Sequence, residues 1–295
     1  MTKRTYYSRL LIVAGIFIVF FALVNFIVGA VQRYLPIDPG SRNGMLTLSV
    51  IQQIVCFILP AYVASSLISK HPWGYMMLRN KTNGMQILGV VFAFLIALPA
   101  LNQIVYWNAN IVFPDVIAHW GETMKAMEES VAAHTAVILN ITSWEGLIVN
   151  LLVVGCLPAF AEELFFRGTL QRTAGAQGAH HTSIWVVALF FSAMHLQFFG
   201  FIPRLLLGAF FGYLLYWTKS LYVPIIAHFI NNGVVVAAAW LTARGYNFDI
   251  QNFGVCEYGF PLAAFVSAVA TVVFLVYFRG FFFMNSQRDN KYQYA

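Results

Sequence analysis

A run of about 20 apolar residues is the length of helix that crosses the ~30 Å hydrocarbon core of a bilayer. This sequence holds eight such candidates, roughly Leu10–Val31, Leu46–Ile68, Met85–Val105, Gly146–Phe166, Ser183–Phe199, Pro203–Trp217, Tyr222–Leu241 and Phe260–Phe278. In hydrocarbon every backbone N–H and C=O must be bonded within its own segment, so long unbroken apolar runs can only be helices. The expected fold is therefore all-α, a polytopic integral membrane protein of about eight transmembrane helices. Charged residues make up 9% of the 295, against roughly 25% in a soluble domain.

The first apolar run follows Lys3, Arg4 and Arg9. It exceeds the roughly 7 to 15 residues of a signal peptide's apolar region, so it reads as an anchor helix. Alternating the loops across eight spans places Lys3, Arg4, Arg9, Lys70, Arg79, Lys81, Arg167, Arg172, Lys219, Arg279, Arg288 and Lys291 on one side. Arg33, Arg42, Lys125, Arg204 and Arg244 fall on the other. The positive-inside rule then assigns both termini to the cytoplasm. The net charge of +6 bears on orientation and anionic lipid, not on nucleic acid, because no basic patch is interleaved with aromatics. Cys56, Cys156 and Cys256 are odd in number and scattered. They suit neither a disulfide framework nor a paired-cysteine metal motif.

Trp107 to Trp144 is the longest connection and carries Asp115, Glu122, Glu128 and Glu129. Val116, Trp120, Met124, Met127 and Val131 recur in it at helical spacing, the pattern of a helix lying on the membrane or packed on helix ends. Asn140-Ile141-Thr142 in the same stretch is a glycosylation sequon. No linker or low-complexity tract divides the chain. We expect one membrane domain over 1–295, with 1–143 as flanking helices plus the outer loop, 144–242 as a functional core, and 243–295 as the last helix and tail.

Glu162 and Glu163 stand side by side in the apolar run 147–166, with Arg167 close behind. An ionised side chain at the bilayer centre costs at least ~2.5 to 3.5 kcal/mol on insertion scales, so intramembrane carboxylates usually face an interior or a wet cavity. Glu163 and Arg167, one helical turn apart, can form a structural pair. That leaves Glu162 unexplained, since its own neighbour one turn on is Phe166.

Phe191 pairs with His195 at the same spacing, and His228 with Asn232. Taken singly, such groups are as compatible with interhelical hydrogen bonding as with catalysis. Depth joins them: counted from Arg172, Thr182 and Ser220 at 1.5 Å per residue, Glu162, His195 and His228 lie roughly 15, 20 and 12 Å inside the same face. Pro158 and Pro224 each precede an ionisable residue by one turn. Each proline removes a backbone bond and can kink its helix. Gly208 and Gly212 leave a flat strip for close helix approach, and His180 with His181 forms an interfacial polar pair open to pH or metal.

The ordered set Glu162-Glu163-x-x-x-Arg167, Phe191-x-x-x-His195 and His228-x-x-x-Asn232 resembles the CPBP family, the CAAX proteases and bacteriocin-processing (Abi) enzymes. The match runs from Glu162 to Asn232, and the first 140 residues carry nothing diagnostic. The resemblance implies an eight-helix intramembrane hydrolase, similar to type II CAAX prenyl endopeptidases, whose active site opens to the cytosol. It further implies that Glu162 and His195 activate water and that His228 and Asn232 stabilise the oxyanion. Glu163 and Arg167 occupy motif positions of catalytic or supporting role, and Phe191 supports the site or substrate. The implied substrate is a membrane-associated or lipid-modified peptide or protein, and the expected location is a bacterial inner membrane.

Carboxylate, imidazole and amide side chains supply a base and oxyanion donors with no need of Ser or Cys as nucleophile. Glu162, His195 and His228 are equally a ligand set for zinc with one open position. The residue types leave glutamate and metallo mechanisms both open. Two other classes also place such groups in a membrane. A proton-coupled transporter does so, usually with repeated halves and interrupted helices, and a noncatalytic scaffold would tolerate loss of Glu162.

Overall fold

The computed structural model describes residues 2–34, 36–246 and 249–289, with the backbone alone for 281–289. Lys291, assigned above to the cytoplasmic side, lies outside the described residues. Among these the chain is helical with no strand. Its main helices are α1 (Lys3–Tyr34), α2 (Arg42–Ile68), α3 (Gly84–Ala109), α4 (Ala118–Leu139), α5 (Trp144–Ala174), α6 (His180–Ala193), α7 (Phe201–Thr218), α8 (Tyr222–Ala243) and α9 (Leu262–Asp289). Seven have the length and apolarity to cross a membrane, namely all but α4 and α6. The chain is a polytopic integral membrane protein. Leu11, Ile18, Phe26, Leu88 and Leu95 point outward from the bundle as the lipid-facing surface.

Helix ends follow local chemistry. Ser41 and Ser143 cap α2 and α5 by accepting from the N–H of Gly44 and Gly146, and Asn83 with Gln86 forms a reciprocal capping box at α3. Inside the helices, proline acts as expected at one place and not at another. Pro158 follows a π-helical stretch, Leu151–Cys156, and Pro60 follows another, Ile54–Ile58. A proline ring crowds the carbonyl one turn back and withholds an N–H, and the helix absorbs this by widening. Pro224 lies in the first turn of α8, where no intrahelical bond is lost, so the expected kink does not form.

The apolar run expected to be helical over Ser183–Phe199 breaks early. Helix α6 has 14 residues and stops at Ala193, a length of ~21 Å. Its last turn tightens as the His195 N–H bonds back to the Ser192 carbonyl, and Leu196 takes a left-handed φ of 53°. His195 therefore stands just beyond the helix rather than on its face. The chain turns through 194–200 and returns as α7, packed along α6.

Helix α5 is central, touching α1, α2, α6, α7 and α8. One aromatic core fills the half of the bundle nearest the N-terminus: Phe17 stacks on Phe165 at 4.7 Å, Phe57 meets Phe166 at 5.7 Å, and Phe166 meets Phe191 edge-on at 5.1 Å. The glycine strip of α7 packs inward. A Cβ on Gly212 would lie 2.7 Å from Gln171 Oε1, and one on Gly208 would lie 3.1 Å from Phe191. The bared carbonyls at these positions accept from Arg167 (2.9 Å) and Gln171 (3.0 Å). Helix α2 is no mere flank, since Ser65 bonds Thr169 of α5 at 3.0 Å.

The long connection does contain a helix, α4. Val116, Trp120, Met127 and Val131 are exposed. It is tied to the bundle at two points: the Ile138 carbonyl accepts from Arg42, which also reaches Asn150 Oδ1 of α5, and Glu128 accepts from Gln197 at 2.9 Å. At the opposite face, burial and then the nearby Arg172 hold the Lys219 ammonium below its usual range. Burial followed by Lys219 and His181 does the same to the His180 imidazole, and His181 itself bonds Tyr213 at 3.1 Å.

Candidate active site

Glu162 and Glu163 end a short α-helical segment, Leu157–Glu163, with π-helical stretches on both sides. Pro158 accounts for the first. In the second, Thr169 Oγ1 donates to the Leu164 carbonyl five residues back, at 3.1 Å, which suits the wider turn. Widening shifts the side chains around the helix, and the two neighbouring carboxylates face different partners.

Glu163 faces inward and is fully enclosed, as is Arg167. Its Oε1 accepts from Arg167 Nη1 at 2.8 Å and lies 3.0 Å from His228 Nδ1. Arg167 continues to the Gly208 carbonyl and lies over the Phe191 ring at 4.4 Å. The expected Glu163–Arg167 pair thus exists and has a third member, His228. Phe211 stacks on the His228 ring at 5.0 Å, fixing its plane. An acceptor-only carboxylate at Nδ1 makes that nitrogen the donor and turns His228 Nε2 toward Glu162 Oε2, 4.0 Å away.

Glu162 is 7% exposed. Its Oε1 accepts from Gln53 Nε2 of α2 at 3.3 Å, and its Oε2, shielded from solvent, receives no hydrogen bond from any described protein group. His195 Nδ1 lies 2.8 Å from the Phe191 carbonyl. A carbonyl only accepts, so Nδ1 carries hydrogen and Nε2 of a neutral ring presents a lone pair. The Phe191 ring meets His195 edge-on at 5.0 Å and His228 at 5.9 Å, a partition that sets the spacing of the two imidazoles. Asn232 lies one turn beyond His228. Its Oδ1 accepts from Asn231 at 3.1 Å, which leaves its N–H donors facing outward from that bond.

Arg167, His195 and His228 therefore meet Phe191, Glu163 joins Arg167 to His228, and Glu162 lies beside His228, with Asn232 next along α8. Gln53, Phe211 and the Gly208 carbonyl also belong to the surroundings and were not singled out from sequence. The Gln52-Gln53 pair inside the apolar run 46–68 was the available signal for the first. Phe211 is an ordinary aromatic and carries no sequence signal, whereas the Gly208 carbonyl is bared by the glycine strip read from the sequence. Among the described residues no three His, Cys, Asp or Glu side chains converge in an arrangement that holds a metal.

The side of the site nearest the N-terminus is closed by Leu164, Phe166, Met76 and Leu221. On the opposite side lies a cavity of 1020 Å³ between α4, α7 and α8, bordered by Thr135, Gln197, Arg204, Val235, Ala239 and Thr242 among others. Val235, Ala239 and Thr242 continue the face of α8 that bears His228 and Asn232, since steps of three and four residues stay on one face. Arg204 on the cavity wall is close enough to interact with Glu162 and His195. It bonds Gln197 Oε1 at 2.9 Å, and Gln197 bonds Glu128, so α4 roofs the cavity through one polar chain. The cavity lies on the face away from the N-terminus.

Residues 144–234 match the family model described as Type II CAAX prenyl endopeptidase Rce1-like. The chain is also 34% identical over 91 residues to the uncharacterized protein YpbD of Bacillus subtilis (strain 168), covering 30% of this chain and 44% of that protein. It thus spans less than half the length of the curated relative it matches. No solved structure matches with significance. The matched segment includes every residue of the resemblance drawn above, from Glu162 to Asn232, and excludes α1 to α4.

Proposed function

We propose that the chain is an intramembrane endopeptidase that hydrolyses a peptide bond of a membrane-associated or lipid-modified substrate with water activated by Glu162 and His195. The observation that carries this reading is the placement of Glu162 Oε2, free of protein donors, with His228 Nε2 4.0 Å away and a His195 tautomer that turns a lone pair outward. A carboxylate with an open oxygen beside a basic nitrogen is what water activation needs.

The water oxygen attacks the carbonyl carbon of the scissile bond while its proton passes to Glu162, and His195 Nε2 accepts from the carboxyl once Glu162 carries that proton. Negative charge then develops on the former carbonyl oxygen. Asn232 Nδ2 donates to it, joined by His228 Nε2 when that ring is protonated. The proton held by Glu162 goes to the leaving nitrogen as the C–N bond breaks, so base and acid are one group. Glu163, pinned by Arg167, holds His228 by Nδ1 in the required orientation.

The substrate segment lies in the cavity beneath α4, where Gln197, Arg204 and Thr135 offer polar contacts to an extended backbone. The match to prenyl endopeptidases makes a lipid-modified C-terminal peptide one substrate class, and a peptide or membrane protein without such a lipid is the other. The test is cleavage of a membrane-tethered fluorogenic peptide, with and without a prenyl group, by purified protein in liposomes. Glu162→Gln preserves shape and removes the base, so it should fold, bind the peptide and fail to cut it. Undiminished turnover in that variant would refute the mechanism, and stoichiometric bound zinc lost on His195→Ala would replace it with a metalloprotease.

A further inference from the structure

Gln53 lies outside the matched segment, on α2, and is the residue immediately before the π-helical stretch Ile54–Ile58. Its neighbour Gln52 is exposed, while Val55, Cys56 and Phe57 beyond it are buried in the aromatic core. A primary amide removed from water needs partners for both ends. Its Nε2 donates to Glu162 Oε1 at 3.3 Å. Its Oε1 is shielded from solvent and receives nothing from the described protein, which is also the condition of Glu162 Oε2.

Two adjacent side chains, joined by one hydrogen bond, thus each hold a buried acceptor that no protein donor serves. A single water carries the two O–H donors that these acceptors lack. We infer that Gln53 belongs to the catalytic set: its amide N–H fixes the Glu162 carboxylate, and its amide oxygen takes one hydrogen of the attacking water while Glu162 Oε2 takes the other. The hydrogen given to Glu162 is transferred in the attack. The one held by Gln53 stays on oxygen and ends in the new carboxyl group. The water is thereby aimed with its lone pair away from both acceptors. This assignment rests on the hydrolytic reading above, and it gives the N-terminal helices a role in the chemistry.

Gln53→Leu removes both polar ends at similar volume. Loss of a group that orients an active-site ligand or base costs about 10- to 100-fold. The kcat for the tethered peptide should therefore fall by about that factor, with KM within about twofold and the melting temperature of the wild type retained. Gln53→Glu keeps an acceptor but sets a second carboxylate against Glu162. It should be poorly active at neutral pH and recover as pH falls, when the pair shares one proton that replaces the amide hydrogen. A glutamine that served packing alone would show no such recovery. A kcat within about twofold of wild type in Gln53→Leu overturns the assignment. If that variant does not fold, a Gln53→Glu profile parallel to wild type overturns it equally. Wild type and Glu162→Gln are run alongside: cleavage that needs Glu162 and ignores Gln53 refutes this inference alone, undiminished cleavage by Glu162→Gln refutes the glutamate mechanism and this inference with it, and no cleavage by wild type refutes the hydrolase reading itself.

Discussion

Arg167→Met tests the scaffold that holds His228. The guanidinium is fully buried and loses three things: the 2.8 Å bond to Glu163, the 2.9 Å bond to the Gly208 carbonyl, and the face of Phe191 at 4.4 Å. Breaking a buried pair by removing one member costs ~3 to 5 kcal/mol, because the other charge is left uncompensated. At roughly 2 to 4 °C per kcal/mol for a chain of this order, the melting temperature should fall by about 6 to 20 °C. Adding Glu163→Gln in the same chain removes the stranded charge. The double variant should regain most of the stability, since replacing both partners of a buried pair is often neutral. Its activity should stay low, because His228 Nδ1 then faces a neutral amide instead of a carboxylate. The assay is a thermal melt in detergent beside peptide cleavage, on all four members of the cycle. An Arg167→Met melt within a few degrees of wild type, or a double variant no more stable than the single one, would refute the reasoning. Normal stability with abolished activity in Arg167→Met would move Arg167 into the catalytic set.

Asn232→Ala should keep weak activity, since loss of one oxyanion donor costs about 100- to 1000-fold; full activity in the cleavage assay would remove Asn232 from the mechanism. Gly212→Ala places a methyl 2.7 Å from Gln171 Oε1 and 2.9 Å from Ile184, and such overpacking should cost ~1 to 3 kcal/mol in a melt; an unshifted melt would mean that α6 and α7 separate freely. The lysine and arginine asymmetry predicts that a cysteine at Arg79 reacts with thiol reagent only from the cytoplasm and one at Glu128 only from outside. Glu128 labelled from the cytoplasm would reverse the orientation and turn the cavity beneath α4 to the cytosol.

Much of this protein is local physics and is readable without a structure. Apolar run length alone marks the membrane helices, because a segment in hydrocarbon must satisfy its own backbone. Glu162, Glu163, His195 and His228 stand out because a charge or imidazole at that depth is costly unless it has partners, and equal depth on successive helices brings them to one layer. The sequence also determined the Glu163–Arg167 pair, since one helical turn is a fixed distance. It did not determine where α6 ends: residues 194–199 hold no proline or glycine to stop a helix, and the break comes from a turn closed by contacts to Ser192 and Phe191. Nor did it reveal that Glu163 serves His228 while Glu162 meets Gln53. Those pairings span 65 and 109 residues of chain, and π-helical turns set which way each carboxylate faces. The position of the cavity follows the same rule, because α4, α7 and α8 enclose space that no single helix encodes. Sequence fixes which groups lie at which depth, whereas tertiary packing decides which of them touch, since interhelical contact depends on rotation and register that apolar side chains specify only together.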